Sequence, residues 1–296
     1  MRSMLTCVQE AHRWRVRHSA PRPCVYLDHW AFDAWGADPK LTSDFVTALR
    51  TSGGTLCFSI LNAAEPCKAS DLKHALRVDA LLAATMPHVA LVDLGKMAMS
   101  VGIPDTVDGA APVSALGDPP LEVQLAFEFA MVMQRTSGPG WAEGSWLRRQ
   151  QRGALFQKVS ENIAANWDEQ RQDVDWRKRA RTAPLNRPAK RAWRVMADIM
   201  RPAVIDIAQG IPVNDGADCM HALVIPYCDF VLLDQKWAVR AEDTRRRFAE
   251  HGEKIGTSIS ARMGGVPKLI EELMTFGPVS VAPPSPSVPT LTPSDP

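Results

Sequence analysis

The sequence lacks several features that would place it in a specialised class of proteins. No apolar run reaches the roughly 18–20 residues that a bilayer-spanning helix needs, and the best candidate, residues 123–133, carries Glu128. Residues 1–23 contain five arginines but no apolar core of a secretory signal. None of the six cysteines belongs to a Cys-x-x-Cys pair, which argues against a zinc ribbon or a thiol redox motif. We therefore expect a cytoplasmic protein with reduced thiols and no membrane association.

The chain also has almost no net charge, with 34 Lys and Arg against 33 Asp and Glu in 296 residues. That balance excludes a globally basic nucleic-acid coat protein, but it averages an uneven distribution. Residues 145–194 contain 13 basic and 5 acidic residues, a local excess of eight positive charges. The rest of the chain consequently has an excess of seven negative charges. A basic middle between acidic flanks suits a protein that meets a polyanion with one part of its surface.

Short apolar runs alternate with helical patterns, which favours an α/β fold with a parallel sheet. Strands are predicted at residues 24–28, 55–60, 89–93 and 230–234. The connection between the last two is far too long for one helix, so its helical residues are predicted to form an insertion. The expected organisation is a flexible or disordered segment 1–23, an α/β domain within 24–276 (residues 24–100 and 205–276), a basic α-helical insertion 121–204, and a disordered Pro-rich tail 277–296.

Acidic residues stand where predicted strands end and helices begin. Asp28 and Asp234 close two predicted strands, and Glu65 lies in the first turn of the helix after another. Asp218 begins the helix before the last strand, one turn after Asp215. Because the carboxyl ends of parallel strands meet at one edge of the sheet, these carboxylates would share a rim. A divalent cation such as Mg²⁺, which prefers oxygen ligands, would relieve their repulsion.

Such a rim suits phosphodiester hydrolysis, because bound cations polarise a phosphoryl oxygen and activate a water. The structural alternative is that each Asp at a strand end is a helix N-cap or turn residue. Asp215, Asp229 and His221 are possible supporting residues around the metal ligands; His221 would orient a carboxylate, contact a phosphate, or simply pack in the helix. The side chain of His29 is expected to point to the opposite side of the strand end.

The positions of Asp28 and Glu65, together with the segment DCMHALVIPYCDFVLLDQKW at residues 218–237, resemble the PIN-domain nucleases. The resemblance covers residues 24–93 and 205–250. It implies a three-layer α/β/α sandwich and RNA cleavage that depends on Mg²⁺ or Mn²⁺. Carried over one by one, the metal ligands and catalytic residues would be Asp28, Glu65, Asp218 and Asp234.

Two positions depart from the pattern of that family. Trp30 stands where the family often has Asn or Ser, and Leu232 stands where it often has Thr or Ser. These positions usually support bound water or substrate. A catalytically weak PIN-like scaffold that binds RNA or protein is therefore an alternative, and so is the toxin of a toxin–antitoxin pair, although such toxins are generally more compact. The sequence leaves open whether the partner is RNA alone, another protein such as an antitoxin, or a second copy of the chain.

Tryptophans interleave the basic residues of the predicted insertion. Lys and Arg neutralise phosphates, and Trp stacks on unpaired bases, so this part is predicted to be an RNA-binding arm. The alternative is a solvated helical face with its tryptophans packed in the core. The cations predicted to contact nucleic acid are Arg148, Arg149, Arg152, Arg177, Lys178 and Arg179.

Overall fold

A five-stranded, all-parallel sheet lies at the centre of the protein. The computed structural model describes residues 5–10, 13–18, 20–68, 70–92, 138–186 and 191–276. The strands are β3 (Cys24–Leu27), β4 (Thr55–Ser59), β5 (Val89–Val92), β6 (Phe230–Leu232) and β7 (Thr257–Ile259), in the spatial order β5-β4-β3-β6-β7. The four predicted strands are present, whereas β7 was not predicted, because only three residues pair and the run has no long apolar stretch.

Eleven α-helices in the described residues surround this sheet. They are α1 (His29–Ala37), α2 (Pro39–Thr51), α3 (Ile60–Ala64), α4 (Lys73–Thr85), α5 (Trp141–Leu147), α6 (Arg149–Gln172), α7 (Val174–Thr182), α8 (Arg191–Ile205), α9 (Val213–Ala222), α10 (Gln235–Glu250) and α11 (Gly265–Thr275). The single helix predicted over residues 62–84 is divided: a 3₁₀ turn, Glu65–Lys68, separates α3 from α4. Pro66 explains the break, since it has no N–H to donate within a helix.

Side chains alternate across the sheet and create two apolar cores. Val25 and Leu27 of β3 face one core, which the first four helices and α11 help to cover. Cys24 and Tyr26 face the other core, against α8, α9 and α10. Both cores are formed by buried side chains on the two faces of one parallel sheet. The predicted three-layer α/β/α sandwich is therefore confirmed.

α5 and α8, which lie within the predicted insertion, contribute to these cores. α8 buries Val195, Ile199 and Met200 in the core that contains Tyr26, and α5 packs Trp141 against Phe58 in the other core. The helix predicted at residues 121–134 and the Pro-rich tail lie outside the described residues. None of the described helices is both long and apolar enough to cross a membrane.

Two further strands, β1 (Leu5–Glu10) and β2 (Arg13–His18), pair antiparallel near the N-terminus. The sequence predicted no regular structure before Cys24. Both strands are rich in polar and charged residues, so they carry little of the apolar signal on which strand prediction depends.

Candidate functional site

The carboxyl ends of β3 and β4 are joined through Asn62. Its amide nitrogen donates to the carbonyl oxygen of Leu27 at 2.7 Å, and its side-chain oxygen accepts from the backbone N–H of Ser59 at 2.8 Å. Asp28 follows β3 directly and caps α1, where it accepts from the backbone N–H of His29. Glu65 begins the 3₁₀ turn three residues after Asn62. The loops after two adjacent strands are thus held together with a carboxylate on each.

Asp28, His29 and Glu65 form a tight cluster of groups that can bind a metal ion. One oxygen of each carboxylate and one ring nitrogen of His29 all lie within 4.8 Å of one another. His29 Nδ1 is 3.3 Å from Asp28 Oδ1 and 3.7 Å from Glu65 Oε1. The expectation that His29 points away was wrong, because α1 begins at His29 and a helical turn, not strand alternation, sets its direction.

Asp218 and Asp234 line the same cleft without joining that cluster. The cleft has a volume of about 540 Å³, and all four predicted metal ligands contribute to its wall. Asp218 lies on α9. Asp234 is exposed and caps α10, accepting from the backbone N–H of Trp237 at 2.8 Å. The predicted convergence of carboxylates at one edge of the sheet is therefore present.

A series of buried polar side chains, connected by hydrogen bonds, holds Glu65 in position. His221 of α9 places Nε2 3.3 Å from Glu65 Oε1 and Nδ1 2.7 Å from the hydroxyl of Tyr26. That hydroxyl lies 2.8 Å from Ser59 Oγ, which in turn contacts Asn62. Of the roles considered for His221, its burial and contacts fit both a packed, hydrogen-bonded helix histidine and a residue that orients a carboxylate, whereas contact with a phosphate does not fit a side chain that is 1% exposed. Sequence reasoning missed Tyr26, Ser59 and Asn62, which carry no charge and lie in or beside apolar strands.

Burial and neighbouring charges shift the pKa values of Asp28, His29 and His221. Burial alone would raise the pKa of Asp28, but its hydrogen bond with His29 and the charges of His221 and His29 lower it. The hydrogen bond to Asp28 raises the pKa of His29 to about 9. Burial opposes the charge on His221, yet the carboxylates of Glu65 and Asp28 raise its pKa to about 9. Both imidazoles are therefore protonated at neutral pH in the metal-free protein.

The pKa of Asp218 is raised, whereas that of Asp28 is lowered. Burial, reinforced by the nearby carboxylates of Asp28, Asp234 and Asp215, raises the pKa of Asp218 to about 7. It consequently changes charge close to neutral pH, which an ordinary exposed aspartate does not do.

Asp215 and Asp229 were the two acids predicted to support the metal ligands. Asp215 is buried and paired with Lys236, whose Nζ lies 2.6 Å away. Asp229 lies at the amino end of β6, at the edge of the sheet opposite to the cleft, where it accepts from the backbone N–H of Cys24 at 2.7 Å and from Arg22. The prediction that Asp229 supports the metal ligands was wrong, because it precedes its strand instead of following it.

The cations at the cleft are not those predicted. Lys68 and Arg262 line it. A neighbouring cavity of about 470 Å³ shares His29, Glu65 and Lys68 with it. That cavity adds Lys73, His74 and Arg77 to its wall, and Asp33 contacts both His74 and Arg77. The position of Lys68, one turn after Glu65, is the sequence signal that could have identified it as a cation at the cleft.

Five of the six cations predicted to bind nucleic acid lie outside the wall of the cleft. The side chain of Arg152 is not described, and none of the other five lines the cleft. Arg148 donates to the carbonyl of Gly144, and Arg149 stacks over the ring of Trp146 at 3.8 Å. Arg177 donates to the carbonyl of Arg171. Lys178 and Arg179 are exposed on α7.

The two departures from the PIN pattern differ in position. Trp30 lines the cleft beside Asp28 and His29. Leu232 is fully buried in the core on the opposite face of the sheet from Tyr26, so its side chain does not reach the cleft. Only Trp30 is therefore placed to change what the cleft admits.

No protein-family model matches the chain, and neither a curated protein nor a solved structure matches it.

Proposed function

We propose that the protein is a nuclease that depends on a divalent cation and hydrolyses RNA phosphodiester bonds in the cleft of Asp28, Glu65, Asp218 and Asp234. One observation carries the proposal. Glu65 is only 8% exposed, and its Oε2 has no hydrogen-bond partner among the described residues. A buried carboxylate oxygen without a partner is costly, and a cation held with Asp28 would supply the missing contact.

The donor set fits such a cation. Carboxylate oxygens from Asp28 and Glu65 suit Mg²⁺ and Mn²⁺, and the nearby nitrogen of His29 could join them only after losing its proton. Asp218 and Asp234 would complete the site from the other wall of the cleft. When bound, the cation would polarise a phosphoryl oxygen and make a water more acidic.

The residues of the chain would then divide the remaining work. His221 and Tyr26 hold Glu65 in position, and Asn62 fixes the loops that carry Asp28 and Glu65. Asp218, with its pKa raised to about 7, would lose its proton as it joins the ligands of the cation. Trp30 narrows the cleft on the side of Asp28.

RNA phosphates need positive charge beside this acidic rim. Lys68 and Arg262 in the cleft supply it, and Lys73 and Arg77 extend it into the neighbouring cavity. We place a single strand of RNA along these cations, with the scissile phosphate at the carboxylates. A cytoplasmic location, where RNA and reduced thiols occur together, belongs to the same proposal; the five described cysteines are buried thiols.

The test is cleavage of a labelled single-stranded RNA by the wild type, Asp28→Asn and Glu65→Gln, with Mg²⁺ and Mn²⁺ compared. Both substitutions should abolish cleavage. Asp44→Asn is the matched control, because Asp44 lies on α2 and pairs with Lys40. A wild type that binds Mn²⁺ yet cuts no RNA would overturn the nuclease proposal.

One observation favours a second function, a PIN-like scaffold that binds RNA without cutting it. Protonated His29 and His221 already balance the charges of Asp28 and Glu65. In a scaffold this internal balance would replace the cation. Titration of Mn²⁺ into the wild type by calorimetry separates the two functions: the scaffold takes up no cation at this site, whereas the nuclease does, and Glu65→Gln removes the binding.

A further inference from the structure

A pocket of about 360 Å³ lies among α6, α7 and α8, and three tryptophans line it. Trp167 and Trp176 meet edge to face, with ring centroids 6.0 Å apart. Trp193 is 41% exposed, which is unusual for so large an apolar side chain. The pocket therefore offers aromatic surface to a ligand as well as to the core.

Three arginines also line the pocket, together with Asp198 and several apolar residues. Arg194 is paired with Glu253, and Arg201 lies 3.1 Å from the buried carboxylate of Asp198. These pairs fix two guanidinium groups in place. Arg179 is exposed and also lines the pocket. An anionic ligand with a flat ring is the chemistry that matches this combination, since the arginines would repel a cation.

The helix that carries Trp176 and Arg179 is itself a basic surface. α7 has no fully buried residue, and four of its nine residues are Arg or Lys. Its cations include Lys178 and Arg181, which do not line the pocket. Phosphates on either side of a ligand in the pocket would thus meet positive charge.

We propose that this pocket binds one unpaired nucleobase of single-stranded nucleic acid, stacked on tryptophan, with its phosphate at Arg179. The volume lies at the small end of the range for ligand cavities, about 300–1,000 Å³, which suits one base and its sugar. A duplex covers the faces of its bases and has none to insert. The inference deepens the proposed function, because it adds a second holding point for the same substrate, but it requires no cleavage.

The experiment measures binding by full-length Asp28→Asn without added metal, so that no cleavage intervenes. Fluorescence anisotropy compares a labelled single-stranded RNA, the DNA of the same sequence, an abasic strand of equal length, and the duplex. The two single strands that carry bases should bind most tightly. Trp193→Ala should weaken their binding by roughly tenfold, whereas Trp193→Phe retains most of it, because a stacking surface remains.

Two neighbouring cations provide the matched pair. Arg179→Ala should weaken binding more than Lys178→Ala, since both remove one charge from α7 but only Arg179 lines the pocket. Circular dichroism and thermal unfolding establish that each variant is folded.

Equal affinity for the abasic strand would overturn the proposal, and so would unchanged binding by folded Trp193→Ala or a protein that binds no single strand at all. Failure of the nuclease proposal looks different: wild-type protein would bind the strand through this pocket and leave it uncut with Mn²⁺.

Discussion

His221 Nε2 lies 3.3 Å from Glu65 Oε1, although 156 residues separate the two in the sequence and both are buried. The pair joins α9 to the loop after β4, and so unites the two halves of the candidate site. It also gives the protein a group that titrates within an accessible range of pH.

This pair predicts how stability depends on pH. The pKa of His221 is raised from 6.5 to about 9 in the folded protein. Its stabilising contribution is therefore complete below about pH 6.5 and is lost as the pH rises through 9. We expect His221 to contribute at most about 3 kcal/mol to the fall in the free energy of unfolding in urea over this range, and His29 to add a separate contribution. His221→Gln should lack that part of the fall, while His251→Gln, at an exposed helix end, should keep it.

Asp218 predicts the pH dependence of cation binding. With its pKa raised to about 7, it holds a proton below neutral pH and must release it to bind a metal ion. Mn²⁺ affinity should thus increase as the pH rises towards 7, and calorimetry should detect the released proton as a dependence on buffer. Asp218→Asn should remove this portion of the slope. An identical slope in the variant would show that Asp218 is not a ligand.

Gly216 predicts that α9 must approach α6 closely. A Cβ built on Gly216 would lie 2.2 Å from the carbonyl oxygen of Ser160, so α9 touches α6 backbone to backbone. Gly216→Ala should force the helices apart, destabilise the protein by about 1–3 kcal/mol, and weaken Mn²⁺ binding through Asp218. Gly144→Ala is the control: the added methyl group on α5 meets nothing within 4 Å. That variant should be neutral or slightly more stable.

Asp229 predicts a change in stability without a change in cation binding. Its carboxylate holds Arg22 and the N–H of Cys24 at the edge of the sheet away from the cleft. Asp229→Asn should lower the thermal midpoint but leave Mn²⁺ affinity unchanged. A loss of cation binding without a loss of stability would contradict the assignment.

Lys73 and Lys68 predict the salt dependence of RNA binding. Replacing both with Ala in Asp28→Asn should weaken binding of single-stranded RNA and flatten the plot of log affinity against log salt by about 0.7 per lost phosphate contact. Lys40→Ala, on α2 and paired with Asp44, should leave the slope unchanged. Equal slopes in all three proteins would show that RNA does not bind in the cavity lined by Lys68 and Lys73.

Sequence patterns predicted the parallel α/β fold and the meeting of four acids, because both follow from short-range signals, and the resemblance to the PIN-domain nucleases implied the three-layer sandwich. Strand alternation and an Asp at a strand end are visible within about ten residues. His29 was misjudged because one residue decides whether strand or helix geometry governs its direction. The buried chain from Tyr26 through Ser59 to Asn62 was missed because neutral polar residues in strands resemble ordinary core positions. The cations that line the cleft were missed because clustering in sequence says little about distance from Asp28 in space.

The long sequence separations at the cleft have a consequence for folding. β3, the loop after β4 and α9 must all be in place before Asp28, Glu65 and His221 meet, and such non-local contacts form slowly. Local helices such as α6 require no distant partner to begin. A cation bound at Glu65 would therefore mark the completion of folding: its uptake after dilution from denaturant should lag behind the recovery of helical signal.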